Sequence, residues 1–264
     1  FCYSGSDDFF DKYKIERQLN FMLAKKIDFS FTHVNFINNK SEFVKDNDNY
    51  MLGNFNVNNR PIGEWFNTFF YKGNILNAPT SMFRESLKKI IYFDEKYEYS
   101  QDFKVYIDLM LLGKKFDVLN EKLTYYRLHQ NNNSKRDKSN INKGFLENFL
   151  IKEHIITNLR KNHINSYLLK DKVKNNKNQK KILINLCNEL LKSNNIINQI
   201  FGIYIFIKIN NQIKKKDFGE FFNFLEEKLF FYEYLSNEQN KLKYKIRRKL
   251  FLANSKINKL LQKN

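Results

Sequence analysis

The chain has 264 residues, of which 42% are hydrophobic and 16% aromatic, and its formal net charge is +18. This apolar content is far above that of disordered chains, so disorder is excluded as a class. No apolar run approaches the roughly 18 residues of a membrane-spanning helix. The two cysteines, Cys2 and Cys187, are too few for a disulfide framework. The sequence therefore predicts a folded, cytoplasmic protein.

The excess positive charge is concentrated in the second half of the chain. Residues 1–134 contain 18 Lys and Arg against 17 Asp and Glu, whereas residues 135–264 contain 28 against 11. This asymmetry predicts two regions, 1–134 and 135–264, of which the second faces an anionic partner. A solvated Lys-rich surface is the alternative. Basic charge without a recognised motif supplies only non-specific phosphate affinity, so no specific nucleic acid is predicted.

The first elements alternate between strand and helix. An apolar run over residues 1–4 that ends in a polar loop predicts a buried strand. Apolar residues then recur every three or four positions over 15–23, which predicts a helix that Asp8 or Asp11 can cap. Residues 28–33 alternate polar and apolar side chains and predict a second strand.

The rest of the first region continues this pattern, and the second region differs from it. Aromatic residues over 65–70 predict a helix face, and residues 102–111 predict a largely buried helix ended by a glycine. Residues 116–119 and 123–126 predict strand pieces. The order of elements predicts an α/β fold over residues 1–134, followed by an all-helical region.

Three short segments of the first region carry groups suited to chemistry. Residues 4–8 (SGSDD) place paired carboxylates after a strand, where they suit a divalent cation shared with phosphate, or else a helix cap. Asp102 lies at the start of a buried helix, where a carboxylate can act as a general base or as a cap. Residues 126–134 gather an arginine, a histidine and a serine, a set that suits a diphosphate or forms a solvated loop.

The order and spacing of these segments resemble the inverting glycosyltransferases of family 2, which have the GT-A fold. That family's usual strings, D-x-D-D followed by K-[IL]-x-x-Q, then [EQ]-D heading a helix, then Y-R-x-H-x-x-N-x-S, correspond to residues 4–18, 101–109 and 126–134. Residues 77–84 and 93–95 also look like the acceptor-side strand and turn. The resemblance covers about the first half of the chain and implies a partial GT-A (Rossmann-like) sheet.

The resemblance also implies a role for each matching residue. Asp7 would ligate the Mn²⁺ or Mg²⁺ that bridges a nucleotide diphosphate, and Asp102 would be the base that deprotonates the acceptor hydroxyl. Gln101 would shape the acceptor site. The nucleotide-sugar would be bound by four residues, namely Asp8, Arg127, His129 and Ser134. The implied activity is transfer of a sugar from a nucleotide-sugar to a glycan or lipid-linked acceptor in bacterial surface polysaccharide assembly.

Two departures from the family pattern leave a second interpretation open. Gly5 stands where the family has its first Asp. Such enzymes also begin roughly a hundred residues earlier with a nucleotide-binding segment, so the chain corresponds to the carboxyl-terminal portion and by itself is expected to bind sugar nucleotides weakly. The alternative function is a non-catalytic glycosyltransferase remnant or partner-binding module.

The end of the chain is basic and amphipathic. On a helix over residues 244–261, Ile246, Leu250, Ile257 and Leu261 share one side, and lysines and arginines lie largely on the others. This pattern is typical of a helix on an anionic bilayer and equally of a packed terminal helix. The first interpretation predicts peripheral attachment at the inner membrane face.

Overall fold

A computed structural model describes residues 1–5, 7–44, 55–129, 138–170 and 179–209. The strands are β1 (Phe9–Phe10), β2 (Phe29–Ile37), β3 (Met82–Phe83) and β4 (Phe116–Arg127). The helices are α1 (Lys14–Lys25), α2 (Ile62–Lys72), α3 (Gln101–Leu111), α4 (Lys138–Asn158), α5 (Lys161–His163), α6 (Gln179–Leu191) and α7 (Ile196–Ile209). Short 3-10 helices span Ala78–Thr80 and Glu85–Leu87, and a π-helix spans Ile164–Leu168.

The four strands form one mixed sheet in the order β1-β4-β2-β3. The two central strands, β2 and β4, are parallel, whereas the pairs β1–β4 and β2–β3 are antiparallel. Because β2 and β4 are parallel, their carboxyl ends meet at one edge of the sheet. The prediction of a mixed α/β arrangement is confirmed for this part of the chain.

Several predicted elements are found with changed bounds. The strand pieces 116–119 and 123–126 are one strand, β4, whose register against β2 shifts around His33, which pairs with Lys122. A bulge of this kind inserts extra residues without ending the strand. Gly113, with a φ of 73°, follows the end of α3 as expected. The segment at the start of the chain forms only a bridge, between Cys2 and Met82.

One face of the sheet is covered by aromatic side chains of α2 and α3. The Phe31 ring lies 4.9 Å from Tyr106, and Phe116 lies 5.2 Å from Trp65. These side chains are almost completely buried apart from Phe116, which is half-buried. The aromatic periodicity over residues 65–70 therefore reports the buried face of α2.

The buried face of α1 is polar. Lys14 and Gln18 are 0% exposed, whereas the apolar residues Ile15, Leu19 and Leu23 are 50%, 46% and 53% exposed. Lys14 Nζ donates to Gln18 Oε1 at 2.6 Å, and Gln18 Nε2 donates to the Ser30 hydroxyl of β2 at 3.0 Å. The helix is confirmed, but most of its apolar pattern faces outward.

The start of α1 also corrects the expected cap. Neither Asp8 nor Asp11 caps it. The N-cap residue is Tyr13, and its side chain makes no capping hydrogen bond to the first turn of the helix. Asp11 instead accepts the Tyr13 backbone N–H at 2.9 Å in the turn that precedes the helix.

The helix α4 packs against α3 through a charged network. His154 Nε2 lies 2.7 Å from Asp108 Oδ1, and Lys104 Nζ donates to Asp108 Oδ2 at 2.6 Å. Burial raises the pKa of the Asp108 carboxyl, but these two partners outweigh it and hold that pKa below its ordinary value. The network joins the first helix of the basic region to the α/β layer.

By packing, the chain divides into two units, Phe1–Lys174 and Asn175–Asn264. The predicted division after Ser134 stays a prediction about domains, although the helices from α4 to the π-helix belong to the first unit. In the second unit, α6 and α7 pack closely at Gly202, whose carbonyl accepts the Cys187 thiol at 3.1 Å. Within the described ranges no helix is long and apolar enough to cross a membrane. The predicted helix over residues 244–261 lies outside those ranges.

Candidate functional site

The paired carboxylates of residues 7–8 lie against the end of β4. Asp7 Oδ2 is 2.5 Å from His129 Nε2. Arg127 contacts both acidic residues, since its Nε donates to the Asp7 carbonyl at 3.1 Å and its backbone N–H donates to Asp8 Oδ1 at 3.0 Å. Four of the site residues suggested by the sequence therefore form one cluster.

The pairing of two strands brings these residues together. β1 runs antiparallel to β4, with Phe9 opposite Tyr125 and Phe10 opposite Thr124. In an antiparallel pair, residues that precede one strand lie beside residues that follow the other. Residues 7–8 therefore lie beside residues 127–129, although about 120 residues separate them along the chain.

Arg127 also binds the loop that follows β2. Its Nη1 donates to the Asn38 carbonyl at 2.8 Å, and both terminal nitrogens lie 3.2 Å from the Ser41 hydroxyl. Arg127 pairs with Ile37 at the last position of the parallel β2–β4 ladder. The cluster thus lies at the carboxyl ends of the central strands, which is where α/β sheets bind ligands.

The Asp8 carboxyl is less acidic than usual. Its pKa is raised mainly by burial and further by the neighbouring Asp7 charge, while the Arg127 N–H and positive charge offset part of the rise. The contacts with Arg127 therefore favour the charged form of Asp8. The cluster is therefore a coupled group of charges rather than a set of independent side chains.

The Asp8 carboxylate occupies space that is open because Gly5 has no side chain. A Cβ at Gly5 would lie 2.6 Å from Asp8 Oδ2 and 3.2 Å from Asp7 Oδ1, the first of which is closer than real Cβ contacts. The glycine at the position where the family pattern has an aspartate therefore has a local structural reason. Any side chain there would push the Asp8 carboxylate away from its present position.

Asp102 lies in a second group, on the first turn of α3. Asn74 Nδ2 donates to its Oδ2 at 3.2 Å. Burial raises the pKa of Asp102 from 3.8 to about 6, although hydrogen bonds from the Phe103 backbone and from Asn74 favour its charged form. A carboxylate with a pKa near neutrality is suited to accept a proton, and its contact with the helix backbone is also that of a cap.

Two tyrosines adjoin Asp102. Burial and then the Asp102 charge raise the pKa of Tyr3 to about 12, and the same two causes raise the pKa of Tyr106 well above its ordinary value. The Tyr3 hydroxyl is buried and has no hydrogen-bond partner within the described residues. Tyr3 precedes Asp7 by four residues, so one short segment serves both groups.

Glu147 of α4 holds the segment that leads into Asp102. It is 5% exposed, and its carboxylate accepts the backbone N–H of Glu98 at 2.7 Å and that of Tyr99 at 3.0 Å. Two backbone donors in a buried setting give a carboxylate a strong, directional contact. The basic helical region thereby contributes to the position of Asp102.

The structure thus gives a location to each predicted site residue except Ser134, which lies outside the described ranges. Gln101, the first residue of α3, is half-buried beside Asp102. The residues that sequence reasoning missed are Asn38, Ser41, Asn74 and Glu147. Each acts through a contact distant in sequence, and no local pattern distinguishes it from other Asn, Ser or Glu residues of the chain.

The donor atoms of the cluster fit a divalent ion only in part. Asp7 Oδ2 and His129 Nε2 are both common metal-ligand types and lie together. Among the described residues, no group of three or more His, Cys, Asp and Glu side chains could hold a metal. Within the described part of the chain, the cluster therefore brings together two such atoms, which share a hydrogen bond, and an ion held there would take its remaining ligands from a bound phosphate.

The chain is similar to solved structures at low sequence identity. No protein-family model and no curated protein matches the sequence. Among solved structures, TarS 1-349 of S. aureus in complex with UDP matches with 14% identity and a TM-score of 0.35, covering 74% of this chain and 56% of that one. The same protein in complex with UDP-GlcNAc matches with 16% identity and a TM-score of 0.40, covering 80% and 64%. The chain thus spans less than two thirds of the length of either structure.

Proposed function

We propose that the chain is part of a glycosyltransferase that moves a sugar from a nucleotide-sugar to a hydroxyl acceptor. The observation that carries this proposal is the cluster of Asp7, Asp8, Arg127 and His129, in which two segments of the family pattern meet across the sheet. A guanidinium and an imidazole beside paired carboxylates suit a diphosphate with a bound cation. Asp102, on the first turn of α3 beside Asn74, is the proposed base for the acceptor hydroxyl.

The reaction is proposed as one displacement that inverts the sugar. Asp102 takes the proton of the acceptor hydroxyl, whose oxygen forms a bond to the anomeric carbon while the bond from that carbon to the diphosphate oxygen breaks. The electron pair leaves with the nucleoside diphosphate. Arg127 and His129 stabilise the negative charge that develops there, and Asn74 holds the Asp102 carboxylate in place.

Asp7 is proposed to hold a Mn²⁺ or Mg²⁺ ion, beside His129, which contacts the diphosphate. When bound, such an ion supplies Lewis-acid stabilisation of the diphosphate charge. Binding of Mn²⁺ can be followed without any activity measurement, by the paramagnetic broadening of His129 ring signals. Broadening that disappears in Asp7→Asn supports the assignment, and identical broadening in both proteins contradicts it.

The experiment that tests the function is sugar transfer, measured with the full natural protein, a panel of nucleotide-sugars and Mn²⁺. Release of nucleoside diphosphate that depends on an acceptor and falls at least ~10²-fold in Asp102→Asn is expected. Arg127→Gln should lower transfer as well, and it should raise the KM for the nucleotide-sugar donor more than the KM for the acceptor. If a folded protein transfers no sugar from any donor, the non-catalytic interpretation replaces this one.

The acceptor and the location are also proposed from the sequence. The basic carboxyl-terminal region fits a lipid-linked acceptor. It also fits a cytoplasmic protein that attaches peripherally to the inner face of the membrane. Vesicle co-sedimentation tests this part separately: binding should require anionic lipid, weaken with added salt and fall when residues 244–264 are removed. Equal binding to neutral vesicles would reject the membrane role while leaving the transferase proposal intact.

A further inference from the structure

An open groove, which we call the α1 groove, lies along the outward-facing side of α1. It has a volume of about 650 Å³ and lies between that helix and β3 with the residues that follow it. Eight of its eleven lining residues are apolar, and the other three are Arg84, Glu85 and Ser86. A mostly apolar cleft of this size is typical of small-molecule sites in proteins.

The wall of the groove on α1 is accessible. Ile15, Leu19 and Leu23 are each about half exposed. They are four residues apart, so they lie one above another on one side of the helix. Met22 and Met82, which also line the groove, belong to a buried cluster and are 2% and 5% exposed. The groove thus has free aliphatic surface on one wall and a closed base.

The lining of the groove carries no net charge. In the described part of the chain, its charged residues are Arg84 and Glu85, which have opposite signs. The Arg84 Nε donates to the Ile27 carbonyl at 2.7 Å, and the Glu85 carboxylate lies 3.5 Å from Lys88 Nζ. The lining therefore favours an uncharged apolar occupant over an ion.

The dimensions of the groove fit one hydrocarbon chain rather than a protein. Its exposed aliphatic side chains and Phe1 present roughly 200 Å² of apolar surface, from the areas that buried Leu and Phe side chains represent. A specific protein interface buries about 800 Å² on each partner. From Ile15 to Leu23 the helix rises about 12 Å, the length of an extended chain of about ten carbons.

We propose that the α1 groove binds a hydrocarbon chain, namely that of a lipid to which the acceptor is attached. The groove leads toward the candidate base, because Phe1 lines it and the Phe1 ring lies 6.2 Å from the ring of Tyr3, which adjoins Asp102. A chain held in the groove can therefore carry its headgroup toward Asp102. The identity of the chain as part of an acceptor rests on the proposed transferase function, whereas its binding does not.

The first test measures binding of hexyl, octyl, decyl and dodecyl maltoside by calorimetry, below the concentrations at which they form micelles. These probes are uncharged, so the positive charge of the protein does not attract them. Affinity should rise about two- to fourfold for each added CH₂ group, where fourfold corresponds to complete burial, and level off beyond decyl maltoside. Affinity that does not depend on chain length, or binding of many molecules to each protein, overturns the proposal.

Variants of the exposed wall locate the binding. Leu19→Gln combined with Leu23→Gln should weaken decyl maltoside at least tenfold, with an unchanged circular dichroism spectrum, because Gln and Leu have similar helix propensities. The matched control is Leu112→Gln, which changes a leucine that is 62% exposed and lies outside the groove, and it should leave the affinity within twofold. Equal losses in the two proteins, or no loss in either, reject the groove as the site.

Sedimentation tests whether a second copy of the chain occupies the groove instead. The wild-type protein and the double variant should sediment alike. A wild-type dimer that becomes a monomer in the double variant would identify the groove as an interface between copies and overturn the proposal.

Transfer assays separate this inference from the function on which it rests. Acceptor sugars offered as decyl glycosides should have a KM at least tenfold below that of the methyl glycosides, and the double variant should remove this difference without changing kcat. Equal KM values in the wild-type protein would overturn the assignment to an acceptor lipid. If neither glycoside accepts sugar while decyl maltoside still binds, the transferase proposal and that assignment are rejected, and hydrocarbon binding in the groove stands.

Discussion

Both carboxylate oxygens of Glu147 accept the backbone N–H of Tyr99, at 3.1 and 3.0 Å. Tyr99 lies three residues before Asp102, and Glu147 lies on α4, in the region that the sequence sets apart by its charge. The first helix of that region is therefore part of the framework of the candidate site. This contact also gives a variant that affects Asp102 without touching it.

Glu147→Gln is expected to lower kcat about tenfold with little change in the donor KM. The amide keeps one acceptor oxygen but places an N–H₂ group against a backbone donor, so the start of α3 shifts, and small displacements of a catalytic group are costly. The free energy of unfolding should also fall by about 1–3 kcal/mol, because a buried hydrogen bond is lost. Steady-state kinetics and urea denaturation measure the two effects. Lys143→Ala, which removes the exposed ion pair with Glu98 and a 5.9 Å cation–π contact with the Tyr99 ring but leaves the Glu147 acceptor in place, should change both far less.

Asp102→Asn is expected to lower transfer at least ~10²-fold while leaving the protein at least as stable. Folding raises the pKa of Asp102 from 3.8 to about 6, so the folded state disfavours the charged carboxylate. The free energy of unfolding therefore falls as the pH rises from about 3.8 through about 6. At pH 7 the neutral amide avoids this cost, and the free energy of unfolding should rise by about 1–3 kcal/mol. A fall in stability with transfer kept within a few-fold would make Asp102 a helix cap only.

Transfer by the unmodified protein should fall as the pH drops through about 6. A base acts in its ionised form, and protonation of Asp102 removes it. The rate under saturating substrates, measured from pH 5 to pH 8, should therefore rise and then level off. A profile with no inflection near pH 6 would show that the transfer rate does not depend on ionisation of Asp102.

Gly5→Ala is expected to weaken binding of the nucleotide diphosphate without unfolding the protein. The new Cβ would lie 2.6 Å from Asp8 Oδ2, so the carboxylate must move away and the Arg127 backbone N–H loses its acceptor. Calorimetry with the nucleoside diphosphate and Mn²⁺ measures the effect. The adjacent exposed Ser4→Ala serves as the control, and equal affinities in the two variants would mean that the Asp8 contact is dispensable.

Gly63→Ala is expected to destabilise the protein by about 1–3 kcal/mol, the scale of overpacking. A Cβ at Gly63 would lie 2.6 Å from the Tyr167 ring, which is held between two other rings. Gly144→Ala is the matched control, because it also lies within a helix but meets nothing within 4 Å, and it should stabilise the protein slightly. In a Tyr167→Ala background the cost of Gly63→Ala should largely disappear in a double-mutant cycle.

Much of the secondary structure could be predicted from the sequence, because it depends on local patterns. The aromatic spacing over residues 65–70 gives α2, and the apolar run after Asp102 with Gly113 behind it gives α3 and its end. The family resemblance also pointed to Asp7, Asp8, Arg127 and His129, which form one cluster in the structure, while their functional roles stay a prediction. These signals lie in neighbouring residues, whose side chains decide which backbone conformation is favourable.

Tertiary contacts decided what local patterns cannot express. The sequence favours the apolar side of α1 as its buried face, yet Lys14 and Gln18 are buried because the groups facing them, the Ser30 hydroxyl and the Thr80 carbonyl, need hydrogen-bond partners. Asp8 likewise leaves α1 uncapped and binds Arg127, because the β1–β4 pairing brings that N–H beside it. A polar side chain takes the partner that the fold places within about 3 Å, and the chain order of residues does not encode that distance.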